Sequence, residues 1–361
     1  MTDPVASADV AVVGGGIVGL ITAERLTAQG RSVVLVDRAG IAGGATGASG
    51  GLIRALDLSG EDGTWAAEGL EVYLRGGWRG SWPEVHEHGS LTLVDGDPTP
   101  SMAARIDAVR AAGHCVQPLT AQETATRFPG LAVPDGFTGL YEPRGGWLPA
   151  KEVAQAVLRD AGPHLRVLRA DATAVLTTGT RVTGVATGAG TVRARAVLLA
   201  AGAGSSRLAA TVGVALPLRT RAVGYCLFDP GPGPGAADLP TVVDSATGAW
   251  LRRWGRGTTV LAGVRSAETD VPEHVRAGVP DREEERVRSV VRHRCPRLAW
   301  APGVGGVTAY DAQAAGGGGS VTAWPEPRGL VTATGWDGGG FKLAPAIGRR
   351  AARCLREVIT G

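Results

Sequence analysis

Lysine is almost absent from this chain: of its 37 basic residues only Lys151 and Lys342 are lysines, and the rest are arginines. A lysine inside a motif therefore carries unusual weight. The 34 acidic residues leave a formal charge of only +3. No run of basic residues interleaved with aromatics suggests a nucleic-acid groove, so no nucleic-acid partner is expected. The four cysteines, Cys115, Cys226, Cys295 and Cys354, are far apart and form no CxxC pair. They read as reduced, structural thiols rather than a disulfide framework, and no metal site is expected. Long hydrophobic runs are also missing. The first, Val10 to Val13, meets Gly14 at once, too short for a signal-peptide core or a membrane span. A cytoplasmic location with no membrane partner is the expectation, and no internal repeat is visible.

What is present is an ordinary globular composition, 44% apolar and 20% charged, with 56 glycines that imply many turns and close backbone contacts. A length of 361 residues is enough for two domains. The opening DVAVVGGGIVGLITAERLTAQGRSVVLVD reads as strand, glycine turn, helix and strand, a βαβ unit. A small-residue loop, AGIAGGATGASGGLI, follows. The middle of the chain reads as an inserted α+β module. AVLLAA returns to a buried strand, AVGYCLFD, AWLRRWG and TTVLAGVRS read as strands of a second sheet, and DREEERVRSVVRHRC as an exposed helix.

Gly14-x-Gly16-x-x-Gly19 falls between the first strand and the first helix, the context in which a dinucleotide pyrophosphate sits on a helix N-terminus. Ile17 and Val18 supply backbone of that first turn. Asp37 ends the second strand, where a carboxylate accepts hydrogen bonds from a ribose diol, and Arg38 follows it. NAD and FAD share this fingerprint, and it does not choose between them.

Three further segments do. The loop around Thr46, Ser49, Gly51 and Leu52, the LLAAGAG turn at 198 to 204, and TGWDGGGFKLAPAIG together resemble the D-amino-acid oxidase superfamily of flavoproteins, which includes glycine and sarcosine oxidases. The similarity implies an α/β fold: a Rossmann-type, doubly wound FAD-binding domain from residues 1–60, 150–215 and 325–361, with a second, antiparallel-sheet α+β substrate domain from 61–149 and 216–324. It implies that Ala174 or Val175 meets the adenine, that Ala201 and Gly202 pass near the pyrophosphate, and that Gly338, Gly339, Gly340, Phe341 and Lys342 lie at the isoalloxazine, where a helix N-terminus favours negative charge. GGLIRALD and GGGFKLAP resemble the two segments with which monomeric sarcosine oxidases hold a substrate carboxylate, so Arg54 and Lys342 are the expected carboxylate anchors.

Three departures qualify the similarity. The segment APGVGGVTAYD lacks the cysteine that attaches flavin in sarcosine oxidases, so FAD is expected to be non-covalent. Leu261 stands where those enzymes place a lysine that assists reaction with oxygen, so either oxygen or another electron acceptor remains open. The arginine that glycine oxidases carry ahead of the last motif is missing from TAYDAQAAGG. The implied reaction is oxidation of the C–N bond of a small amine or amino acid, an N-alkyl or cyclic secondary amino acid being favoured, by hydride transfer to flavin N5. The alternative is a dehydrogenase of a 2-hydroxy acid, which calls for a histidine to take the hydroxyl proton. His86 and His88 read as solvated loop residues rather than metal ligands. Trp250 and Trp254 read as core or as a pocket wall, and Tyr225 and Tyr310 as possible neighbours of the pocket.

Overall fold

The computed structural model describes residues 4–58, 64–233 and 239–360. Its first sheet is built on the fingerprint. Ala6–Val13 is the central strand, flanked in parallel by Val33–Asp37 on one side and Gly190–Leu199 on the other. Leu165–Arg169 extends the sheet beyond Val33–Asp37, and Leu330–Thr334 beyond Gly190–Leu199, again in parallel. The inner parts of the central strands are near-continuous apolar runs because the sheet is covered there: Val10, Val12, Leu35, Val197 and Leu198 are all buried. Ser320–Ala323 adds an antiparallel edge. The boundary expected at residues 60 to 61 lies outside the described residues.

Two helices converge on the fingerprint. Ile17–Thr27 runs from the glycine turn, and Gly340–Thr360, from the other end of the described chain, packs against it with Gly348 pressed onto Ile21. Gly14 has a φ of +119° and a side chain there would strike the Ala200 carbonyl, so only glycine lets the first strand turn into its helix at this depth.

The second sheet is mostly antiparallel. Its central order runs from Gly303–Ala314 through Leu218–Phe228, Val260–Val264, Ala249–Arg253 and Thr241–Asp244 to Ser90–Asp95 and Phe137–Glu142. One face carries Leu91, Leu93, Val242, Leu251, Ala262 and Cys226, buried with Val287 and Val291 of the amphipathic helix Asp281–Val291. The opposite face looks toward the first sheet. Strand register aligns Thr92, Val243, Trp250 and Gly263 in one row across it. Among the described residues, no helix is long and apolar enough to cross a membrane.

Candidate active site

Between the sheets lies a cavity of about 1230 Å³. That exceeds the usual small-ligand cleft and leaves room for a dinucleotide together with a small substrate. Gly14, Gly16, Ile17 and Val18 line it. The helix after them has no acidic residue in its first turn and no side-chain cap at Gly16. Its first amides have no intrahelical acceptor, and Thr46 takes one of them, with Ile17 N–H donating to Thr46 Oγ1 at 2.9 Å. Gly19 is not a lining residue: it lies against the Gly14 carbonyl and serves close packing of helix on turn.

Asp37 also lines the cavity. Its carboxylate already accepts from Gly15 N–H at 2.7 Å and from Ala39 and Gly40 N–H at 2.8 Å. With about four acceptor positions on a carboxylate, one is left for a ribose hydroxyl. Arg38, also on the cavity wall, pairs with Glu273 of the second sheet's long loop at 2.9 Å, and it also meets Tyr310. Ala201 and Gly202 line the cavity as expected, but Ala174 and Val175 do not. Val175 is buried with its N–H donating to Thr211 Oγ1 at 3.1 Å, so Ala170, Asp171 and Ala172 one turn of chain earlier form that wall instead. The expectation for Val175 is thus corrected: the hairpin's packing core claims it.

The loop that carries Thr46, Ser49, Gly51 and Leu52 lies along the cavity. Gly51 has a φ of +70°, and Ser49 Oγ accepts its N–H at 3.1 Å. Trp250 is wedged behind this loop. A Cβ added to Gly50 would come within 2.7 Å of its ring, and one added to Gly263 within 2.5 Å. Small residues on both sides let the indole lie flat as a cavity wall. Trp254 does not line the cavity; it stands over the Arg252 guanidinium, which is sandwiched between it and Trp147 and donates to the Gly50 carbonyl at 2.6 Å. Burial without a carboxylate partner pushes Arg252 down to about 9. Leu261 is fully buried away from the cavity. His86 stacks on Trp147 at 4.0 Å rather than standing free in solvent.

The C-terminal glycine loop is clamped from below. Asp311, half-buried and pushed up to about 6 by desolvation, accepts Gly338 N–H and, at 2.8 Å, Ala312 N–H. Asp337 pairs with Arg221 at 2.6 Å and Arg265 at 2.8 Å. Gly338, Gly339, Gly340, Phe341 and Lys342 then line the cavity. Pro345 removes the N–H that would bond the Phe341 carbonyl, and Tyr73 Oη donates to that carbonyl at 2.6 Å while its ring stacks on Phe341. The start of the helix is thereby fixed.

Lys342 is buried, and its Nζ lies 3.1 Å from Asp57 Oδ2. Burial drives its pKa down, and Asp57 opposes the shift. The lysine expected to be a free anchor is already an ion pair. Arg54 differs. Of the cations that line the cavity, Arg38, Arg207, Arg221, Arg265 and Lys342 each have a carboxylate within 4.0 Å, and Arg54 alone, among the described residues, has none. Its Nε is buried without a partner.

Glu142 supports the segment from beneath, its Oε2 accepting Ala55 N–H at 2.7 Å and Leu56 N–H at 3.0 Å. Burial raises its pKa from 4.5 to about 7, with Arg54 resisting the shift. A raised carboxyl binds its proton more tightly folded than unfolded, so stability falls as pH climbs from 4.5 to about 7. The shift corresponds to a loss of about 3 kcal/mol. Glu142→Gln is expected to flatten the melting temperature between about pH 5 and about pH 7.5; a variant that melts with the wild-type pH slope would assign the effect elsewhere.

The comparisons with known proteins agree with this geometry. A family model described as DAO, FAD dependent oxidoreductase, matches residues 9–354. The chain belongs to this family of FAD-dependent oxidoreductases. It is 30% identical over 182 residues to FAD-dependent oxidoreductase domain-containing protein 1 of Xenopus laevis, a match covering 44% of this chain and 34% of that protein. It is 32% identical over 226 residues to glycine oxidase of Pseudomonas aeruginosa, covering 58% of this chain and 59% of the relative. The matched regions thus span 34% and 59% of these curated relatives, less than two thirds of either. L-proline dehydrogenase of P. horikoshii has the same fold, with a TM-score of 0.86 at 19% identity over 98% of this chain and 94% of that one.

For a DAO family member the residues present fit FAD: an uncapped helix N-terminus, a glycine at positive φ under it, and Asp37 with acceptor capacity to spare. What sequence reasoning missed in this family member was the set of partners. Glu142 and Arg252 lie outside the motifs, and Asp57 and Asp337, though inside GGLIRALD and TGWDGGGFKLAPAIG, are given no role there. The only signal was Asp57 itself, a charge three residues past Arg54 in an otherwise apolar segment.

Proposed function

We propose that this protein oxidises the C–N bond of a small amino acid to an imine, with non-covalent FAD as the electron acceptor in that step. Arg54 carries the reading: a lining guanidinium with no carboxylate within 4.0 Å among the described residues is built for a carboxylate that arrives with the ligand. Bound FAD supplies the two-electron acceptor. The chain's own residues bind, orient and exclude water. Arg54 fixes the carboxylate, Trp250 and the Gly50–Gly51 backbone wall the pocket, and a substrate held at one end presents its α-carbon in one direction. A cationic surrounding favours the neutral amine, the form able to release hydride, so no protein base is needed. His274 is a cavity-lining histidine, but it sits beside the Glu273–Arg38 pair rather than beside Arg54. That placement supports an amine over a 2-hydroxy acid, which would need a base at the carbon being oxidised. Secondary amino acids, N-alkyl or cyclic, are the favoured class, by the likeness of GGLIRALD and GGGFKLAP to sarcosine oxidases. The final acceptor is oxygen or another oxidant.

Anaerobic addition of N-methyl, cyclic and primary amino acids to the yellow protein tests the reading. Bleaching near 450 nm by one amino-acid class, together with flavin released into the supernatant on denaturation, is expected. Bleaching by 2-hydroxy acids alone would overturn the amine assignment, and a colourless protein would remove the flavin.

A further inference from the structure

The ion pair of Lys342 with Asp57 bears on which amines the pocket admits, an inference that rests on the reading of Arg54 above. Three buried or half-buried charges meet at this end of the cavity: Arg54, Lys342 and Asp57. Glu142 also acts on Arg54 and Asp57, and burial pushes it toward its neutral form; with Glu142 protonated, the three sum to a single positive charge. Lys342 is held from both sides. Its backbone carbonyl is pressed against Gly69, where no side chain would fit, and its Nζ lies 3.1 Å from Asp57 and next to Gly339. Asp57 is as closely held, 4% exposed at its side chain, on the same short segment as Arg54. We propose that Asp57 is a specificity-determining residue: by engaging Lys342 it leaves Arg54 as the one cation offered to substrate, and so restricts the pocket to amines that bear a single carboxylate.

The physical basis is charge balance in a poorly solvated space. One carboxylate on Arg54 brings the group to neutrality. A second carboxylate would either stand unpaired or have to displace Asp57 from Lys342, costing the buried Asp57 its lysine. Either way the pocket would hold a net negative charge. A lysine free to join Arg54 would make the opposite selection and welcome a dicarboxylate.

Methoxyacetate and its dicarboxylate counterpart, diglycolate, probe this directly, because they share the ether core, cannot be oxidised as amines and differ by one carboxylate. Each is titrated into the FAD-loaded protein, following the perturbation of the visible spectrum and, independently, the melting temperature. The wild type is expected to bind methoxyacetate at least roughly tenfold more tightly than diglycolate. Asp57→Asn is expected to reverse the preference, and the gain for diglycolate is expected to vanish again in the double variant Asp57→Asn/Lys342→Met. Wild-type protein that binds diglycolate as tightly as methoxyacetate overturns the proposal without need of any variant. An Asp57→Asn protein that keeps the wild-type preference overturns it as well. If neither compound binds any of the proteins, the carboxylate reading of Arg54 fails and the proposal falls with it, an outcome distinct from binding without selection.

Discussion

Arg54→Ala is expected to raise KM for an amino-acid substrate by on the order of a hundredfold or more, while flavin stays bound. The magnitude follows from what is removed. A guanidinium in a partly desolvated cavity, paired with a ligand carboxylate, is worth about 2 to 5 kcal/mol on truncation, because the carboxylate is then left buried without a partner. The Lys342–Asp57 pair cannot compensate, since its charge is already spent. Two controls separate this from general damage. Arg54→Lys is expected to recover part of the loss, because it restores charge without the planar fork. An amine lacking the carboxylate is expected to react with wild type and variant at similar, low rates. Steady-state or anaerobic half-reaction kinetics check it, and an unchanged KM for the amino acid sinks the assignment of Arg54 and with it the main support for an amino-acid substrate.

Gly14→Val is expected to yield protein that folds but elutes colourless from gel filtration, with FAD affinity lowered by more than roughly a hundredfold. The branched side chain meets two obstacles at once. A φ of +119° is a conformation that β-branched residues do not tolerate, and the Ala200 carbonyl occupies the place its Cβ needs. Relief requires the turn to move away from the Gly190–Leu199 strand, which displaces the amides of the following helix from the cavity. Circular dichroism reports the fold and the absorbance at 450 nm the cofactor. Retained yellow colour at wild-type stoichiometry would mean that the turn is not the pyrophosphate cradle.

The parts of this architecture that were legible in the sequence are those set by backbone. Glycine at 14, 16 and 51 announces where the chain turns sharply or comes close to another backbone, and such requirements are local. The apolar runs of the central parallel strands fix which elements are covered on both faces, whereas Asp281–Val291, read as an exposed helix, proves to bury Val287 and Val291 against the second sheet. Side-chain partnerships between distant segments were not legible. Lys342 stood out because lysine is scarce, yet its meaning depends on Asp57, far away in sequence, and nothing in either segment alone states that they meet. Val175 illustrates the complementary error: a small apolar residue at a strand read correctly, but Thr211, at the end of the helix Ser205–Ala210, had the stronger claim on its amide. Glu142 and Asp311 were invisible for a third reason, since a carboxylate that braces backbone amides looks in sequence like any exposed one.

The packing of Gly340–Thr360 on Ile17–Thr27 also has a kinetic consequence. The helix that begins at the cofactor turn is covered by the helix that ends the described chain, with Gly348 against Ile21, and the last strand of the first sheet, Leu330–Thr334, pairs with Gly190–Leu199 rather than with a neighbour in sequence. Contacts of such long sequence separation form late and slowly. During synthesis the glycine turn emerges well before Gly340–Thr360, and it waits uncovered until that helix has been made. No amino-terminal fragment holds a finished nucleotide cradle, so flavin enters as one of the last events of folding, and its supply acts on the yield of mature protein rather than on the early collapse.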